Sequence, residues 1–208
     1  MLSSEKILRE LNIEEPVIAI FPYGSRVYGT NTEGSDHDFV IVGRGATLSN
    51  GAFKNNAISN SDRSIQGVMY SRGGFIDAIN NYDIAAIECL SVEPILSKMP
   101  FKIQKWEEKQ MVKKIISKVS ASWYSADNAA KNGQTKQAKK GIFHALRILN
   151  FALQLKFYKK ITDFSVCNDL HLQIKMVPDF DFDTRDYIPA RDNLMKLLRN
   201  VEETIKQN

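Results

Sequence analysis

Two aspartates one residue apart, Asp36 and Asp38, stand at the head of an apolar run, Phe39-Val40-Ile41-Val42, and a glycine-serine pair, Gly24-Ser25, precedes them. In an extended strand residues i and i+2 share a face, so the two carboxylates converge while His37 faces away. Converging carboxylates repel unless a cation lies between them, and their oxygens suit a hard ion such as magnesium. Glycine at position 24 lets the backbone approach a phosphate. The hydroxyl of Ser25 and the exposed amides of a short following helix then make a cradle for a triphosphate. Phosphoryl transfer asks for this combination: metal ions that bridge phosphate oxygens, neutralise developing charge and align the attacking and leaving oxygens. The plain alternative is a hairpin connection with solvated carboxylates, which the spacing and the flanking apolar runs disfavour. A P-loop is excluded. Gly24 and Gly29 have its Gly-x4-Gly separation, but Thr30 stands where that loop needs lysine.

Strands must hold these residues in place. Residues 16–21, Pro-Val-Ile-Ala-Ile-Phe, read as a buried strand running into Gly24-Ser25, and residues 36–42 as a second one ending at Gly43. A leading helix over 4–11 carries Ile7, Leu8 and Leu11 at helical spacing, with Ser3 or Ser4 as its cap. Residues 43–63 are rich in Gly, Asn and Ser and predict a long mobile loop able to act as a lid, followed by a third strand over 64–70. Short helices are expected at 74–80 and 84–90, and Pro94 and Pro100 punctuate the passage onward. Long helical patterns occupy 102–131 and 135–158, separated by Asn132-Gly133 as a stop signal. A last helix over 190–206 carries the stripe Leu194, Leu197, Leu198 and Val201. The expectation is an α+β protein: a small mixed sheet domain over 1–98 and a helical bundle over 99–208, with the site on the sheet facing the helices.

Composition sets the outer bounds. With 208 residues and 43% hydrophobic content, the chain can bury a core in one or two domains. Its 25% charged residues and 11 Phe, 7 Tyr and 2 Trp exclude a disordered chain. A net charge of +4 favours anionic partners without demanding nucleic acid. Cys89 and Cys167 lie far apart beside apolar residues and make no zinc spacing, so they read as buried free thiols. No apolar run reaches the ~18 residues of a membrane span, and the first residues do not resemble a secretion signal. A cytosolic protein is expected.

The pattern Gly24-Ser25, Tyr28-Gly29-Thr30, Ser35-Asp36-His37-Asp38 resembles the signature of the DNA polymerase beta-type nucleotidyltransferase superfamily. Within it, the pattern resembles predicted bacterial and viral nucleotidyltransferases that read Gly-Ser, aromatic-Gly-Thr, then Ser-Asp-x-Asp. More weakly, Tyr70-Ser71, the stretch Ile84 to Leu90 and Phe143-His144-Ala145-Leu146-Arg147 resemble the later strand and helices of such proteins. The resemblance implies that Gly24 and Ser25 bind the triphosphate and that Asp36 and Asp38 hold metal, with up to two magnesium ions. Arg26 and Ser35 complete the expected nucleotide-binding set. It also implies a third carboxylate on the next strand, and there the chain departs from the pattern: Gln66 occupies that position. An amide cannot take a proton from an attacking hydroxyl and is a poorer metal ligand. Asp62 or Asp77 could replace it in a different register.

Two functions follow from the resemblance. The first is transfer of a nucleoside monophosphate from a triphosphate such as ATP to an acceptor hydroxyl, on an RNA end, a protein or a small molecule, releasing pyrophosphate. The second is a nucleotide- or RNA-binding pseudoenzyme that keeps the fold and has lost turnover. Other polar residues have plainer readings. Arg26 contacts phosphate or caps its turn, Tyr28 packs, and Glu88 approaches the metal site or pairs with a core arginine. His144 and Arg147, one helical turn apart, face a cleft or pair structurally. Lys136, Lys139, Lys140, Lys156, Lys159 and Lys160 form an RNA surface or a solvated face. The run Asp179-Phe180-Asp181-Phe182-Asp183 lacks the glycine and terminal glutamate of a calcium loop and reads as a surface loop anchored by its phenylalanines.

Overall fold

The run ahead of Gly24 forms β1, Val17–Tyr23, and the run behind Asp36 forms β2, His37–Gly43. Their β-branched and aromatic residues suit a pleated surface. The first five residues of β1 and the last five of β2 are buried, so each strand is covered on both faces and turns polar only where it approaches the motif. In the computed structural model, which describes residues 2–44 and 56–200, three further strands complete a mixed sheet. They are β3 (Asn56–Ser59), β4 (Ile65–Ser71) and β5 (Leu96–Ser97), and the order across the sheet is β3-β4-β2-β1-β5. β2 and β4 run parallel, whereas β1 pairs antiparallel with β2 and β5, and β3 antiparallel with β4.

Helices cover both faces. On one side α1, Ser4–Glu10, is capped by Ser3, whose hydroxyl accepts the Lys6 amide at 3.3 Å. Ile7 and Leu11 close a core with Val17, Ile20, Phe39, Ile41 and Ile65. Alternation along β1 sends Phe21 to the other side. There Phe75 of α3, Arg72–Asn80, stacks on Phe21 with centroids 5.6 Å apart and meets Tyr70 and Phe101 edge-on at 5.5 and 5.0 Å. Ser71 caps α3, and Asp83 caps α4, Ile84–Cys89.

Two expectations are corrected in this half. The stretch over 43–63 is not one loop. Asn56–Ser59 forms strand β3, and residues 60–64 make a tight turn in which Asn60 Oδ1 accepts the Ile65 amide at 3.0 Å. Ile58 is the only large apolar residue of that strand, so its pairing with β4 rather than any apolar pattern defines it. The rest of the expected lid, 45–55, lies outside the described residues. The helix expected from residue 102 begins at Glu108. Phe101 is drawn into the aromatic cluster, and the Tyr82 hydroxyl donates to the Lys105 carbonyl at 3.1 Å while its ring meets Trp106 edge-on, which keeps the backbone out of the helix.

The chain divides into two compact units, 1–106 and 107–208. In the second, α5 (Glu108–Lys131) and α6 (Thr135–Tyr158) are joined by a turn whose Gly133 has φ +71°. Only glycine adopts that conformation without cost, which is why Asn132-Gly133 stops the helix. Met111, Ile115, Val119, Trp123, Ala126 and Ala129 form the buried stripe of α5, and Gly141 of α6 lies directly against Ala126. Three elements follow: α7 (Asn168–Met176), a 3-10 turn at Thr184–Tyr187 and α8 (Ile188–Asn200). The first two had no clear periodic signal. Residues 201–206 of the expected last helix lie outside the described residues. The Asp179–Asp183 run is anchored by Phe182, which packs beside Tyr187, while Phe180 is 88% exposed. No helix among the described residues is long and apolar enough to cross a membrane. Cys89 and Cys167 are free and buried, and burial pushes the Cys167 thiol up to about 11.

Candidate functional site

The end of β1 runs into Gly24, which has φ +76° and ψ −157°, a conformation that residues with a Cβ adopt only at a cost. A Cβ there would lie 2.0 Å from Oδ2 of Asp38, so the glycine backbone and the Asp38 carboxylate are packed directly together. This close approach joins the Gly24-Ser25 turn to the aspartate pair. A single helical turn, α2, spans Ser25–Tyr28 and ends at Gly29 in the left-handed conformation. The Ser25 hydroxyl is buried and has no hydrogen-bond partner among the described residues. An orphaned buried hydroxyl costs about 1–3 kcal/mol, a cost that a bound ligand removes.

Asp36 sits one residue ahead of β2, and Asp38 is its second residue. His37 stacks with Phe39 at 6.4 Å, which fixes it on the opposite face from Asp38. Burial, and after it the Arg26 cation, lowers the His37 pKa. The register is decisive for the third position. In the parallel pair Asp38 lies beside Gln66, and on its other flank lies Tyr23 of β1. Gln66 Nε2 donates to Asp36 Oδ2 at 2.5 Å and to the Arg63 carbonyl at 3.2 Å. Neither alternative acid takes that place. Asp62 is exposed and accepts the Ser64 amide at 2.9 Å, with the Ser64 hydroxyl and amide holding its carboxyl below the usual range. Asp77 is exposed on α3.

The remaining motif residues organise the connecting loop. Arg26 donates from Nε to the Asp36 carbonyl at 3.0 Å and from Nη2 to the Ser35 carbonyl at 2.6 Å, strapping the loop just ahead of β2. The Ser35 hydroxyl accepts the Thr32 amide at 2.8 Å. The Tyr28 hydroxyl donates to Glu88 Oε2 at 2.5 Å, with Glu88 only 1% exposed. Glu88 therefore binds Tyr28 and ties α2 to α4. This contact spans 60 residues, and no local sequence signal announces it.

The arrangement brings Gly24, Ser25, Asp36, Asp38 and Gln66 to one end of the sheet. A family model described as nucleotidyltransferase domain matches residues 4–134. The chain belongs to the nucleotidyltransferase domain family. Nucleotidyl transfer is the general chemistry of that domain, and a mixed sheet followed along the chain by a helical region is the α+β organisation expected from the sequence. No curated protein matches the chain. A crystallographically characterised nucleotidyltransferase-like protein from Exiguobacterium sibiricum is similar over 94% of this chain and 73% of its own, at 12% identity and a TM-score of 0.36.

Other candidate residues of this nucleotidyltransferase-domain protein have structural partners within the second unit. Arg147 Nη2 and His144 Nδ1 are 2.8 Å apart on α6, and burial, then Arg147, brings the His144 pKa down to about 4. Of the six lysines proposed for RNA, Lys139 binds the Val177 carbonyl and Asp179. Lys156 is buried against the Leu198 carbonyl and Glu108, and Lys159 also reaches Glu108.

Proposed function

We propose that this protein transfers a nucleoside monophosphate from a nucleoside triphosphate to an acceptor hydroxyl, releasing pyrophosphate. The observation that carries the reading is the direct packing of Gly24 on the Asp38 carboxylate, which makes the turn and the aspartate pair a single site. The buried Ser25 hydroxyl supports it as a group awaiting a phosphate oxygen.

Magnesium fits the donor set. It is commonly held by one or two carboxylates together with substrate phosphates, and Asp36 and Asp38 provide that pair. When bound there it would neutralise charge on the triphosphate and on the leaving pyrophosphate. The residues of the chain do the remainder. Gly24 admits the phosphates to the backbone, Ser25 donates to a phosphate oxygen, and Arg26 holds the loop that presents Asp36. The acceptor oxygen attacks the α-phosphorus as the bond to the bridging oxygen breaks. Gln66 cannot accept the hydroxyl proton, so that proton passes to water or to the departing pyrophosphate.

The register that places Gln66 beside Asp38 favours a second reading, a nucleotide-binding protein of the same fold that does not turn its ligand over. Incubation of the purified protein with each α-labelled nucleoside triphosphate, magnesium and pooled RNA separates the two. Label on RNA or protein that disappears in Asp36→Asn and Asp38→Asn supports transfer. Magnesium-assisted binding without label or pyrophosphate supports the second reading, and no binding at all defeats both.

A further inference from the structure

Resting on the functional reading above, we propose that Gln66 makes this a one-ion site, in which the amide positions Asp36 in the place where a carboxylate would recruit a second cation. Among the described residues no group of three or more His, Cys, Asp or Glu side chains converges as a metal site. Asp36 and Asp38 together carry two negative charges, which one divalent ion balances. A second ion about 3.5–4 Å from the first needs further anionic ligands to offset the repulsion between them. The position flanking both aspartates instead holds a neutral side chain. Its carbonyl oxygen is a weak ligand, and its amino group donates to Asp36 Oδ2 at 2.5 Å. An N–H donor and a cation cannot share one lone-pair direction, so this hydrogen bond takes up an acceptor position on Asp36 that a second ion would otherwise draw on.

The same contact explains how Asp36 is positioned although it lies outside the regular strand. Gln66 is anchored by the β2-β4 register and by the Arg63 carbonyl at 3.2 Å, and through Nε2 it orients one carboxylate oxygen of Asp36. The other oxygen is thereby set for the single ion. Gln66 is a positioning residue on this account, acting through Asp36.

Manganese counting tests the proposal without relying on turnover. Wild-type protein, Gln66→Glu, Gln66→Asp, Asp36→Asn and Asp38→Asn are each titrated with Mn²⁺ in the presence of an α,β-methylene nucleoside triphosphate, and bound ions are counted by electron paramagnetic resonance. The proposal expects one ion per chain in the wild type. It expects two, with a dipolar-broadened spectrum, in at least one of the carboxylate variants, and loss of the wild-type ion in both Asn variants. Two coupled ions in the wild type overturn it and leave the functional reading standing. So does a single ion in both carboxylate variants whose circular dichroism and melting match the wild type. Absence of any nucleotide-dependent ion in the wild type overturns the functional reading itself and the proposal with it.

Discussion

Replacing Gly24 with alanine perturbs the site at the contact that joins its two halves. The Gly24 backbone, at φ +76° and ψ −157°, lies in a region that is essentially glycine-only and costs on the order of 1–3 kcal/mol for other residues. The new methyl also meets Asp38: its Oδ2 at 2.0 Å, its Cγ at 2.7 Å and its Cβ at 2.9 Å. Restoring an ordinary 3.4 Å contact from 2.0 Å requires the carboxylate oxygen to retreat by 1.4 Å. A misplacement of about 1 Å among reacting groups costs about 10²-fold in rate. Gly24→Ala should therefore be destabilised by about 2 kcal/mol or more and lose about 10²-fold in transfer. The contact also couples the two residues. In an Asp38→Ala background the two nearest clashing atoms are gone, so Gly24→Ala should cost about 1 kcal/mol less there than in the wild type, within the range seen for touching residues. Urea denaturation of the four proteins measures the cycle, and α-labelled transfer measures the rate. Equal costs in both backgrounds, or unimpaired transfer by Gly24→Ala, would refute the argument that this glycine exists to seat Asp38.

Three further outcomes follow from the same structure. Tyr28→Phe removes the hydroxyl that donates to buried Glu88, and urea unfolding should show a loss of about 1–3 kcal/mol. Weaker nucleotide binding should accompany it, because α2 is then less firmly tied to α4. Gly141→Ala places a methyl 2.7 Å from the Ala126 Cβ; overpacking of about 1–3 kcal/mol should exceed the helix-propensity gain of about 1 kcal/mol. Combining it with Ala126→Gly should cost less than the sum of the two single changes, as thermal melts would show. His144, held near 4 against an ordinary 6.5, binds its proton more weakly in the folded than in the unfolded chain. The stability associated with its neutral form is present above about pH 6.5 and is lost as pH falls towards about 4, amounting to about 2 kcal/mol after allowing for partial exposure of the ring. Urea midpoints measured across that window should fall in the wild type and fall less in His144→Gln.

The sequence alone carried the parts of this protein that depend on near neighbours. Gly24-Ser25 and Asp36-x-Asp38 were legible because chemistry fixes both residue type and short spacing. The strands at either side showed as apolar runs, and the α5-α6 turn as the stop signal Asn132-Gly133. The third position of the site could be guessed as Gln66 only by assuming a strand register. The tertiary structure decides it through a parallel pairing between β2 and β4, in which Asp38 lies beside Gln66 and the amide reaches Asp36. Strand β3 and the late start of α5 were hidden for a related reason. A four-residue edge strand takes its identity from the partner it bonds to, and Phe101 and Trp106 are held by aromatic neighbours that the helical pattern of 102–131 does not reveal. The Tyr28–Glu88 pair, joined across 60 residues, belongs to the same class. Periodicity and composition report what a residue prefers within a few positions of itself, whereas which buried carboxylate meets which hydroxyl is settled only when the sheet and its covering helices close around them.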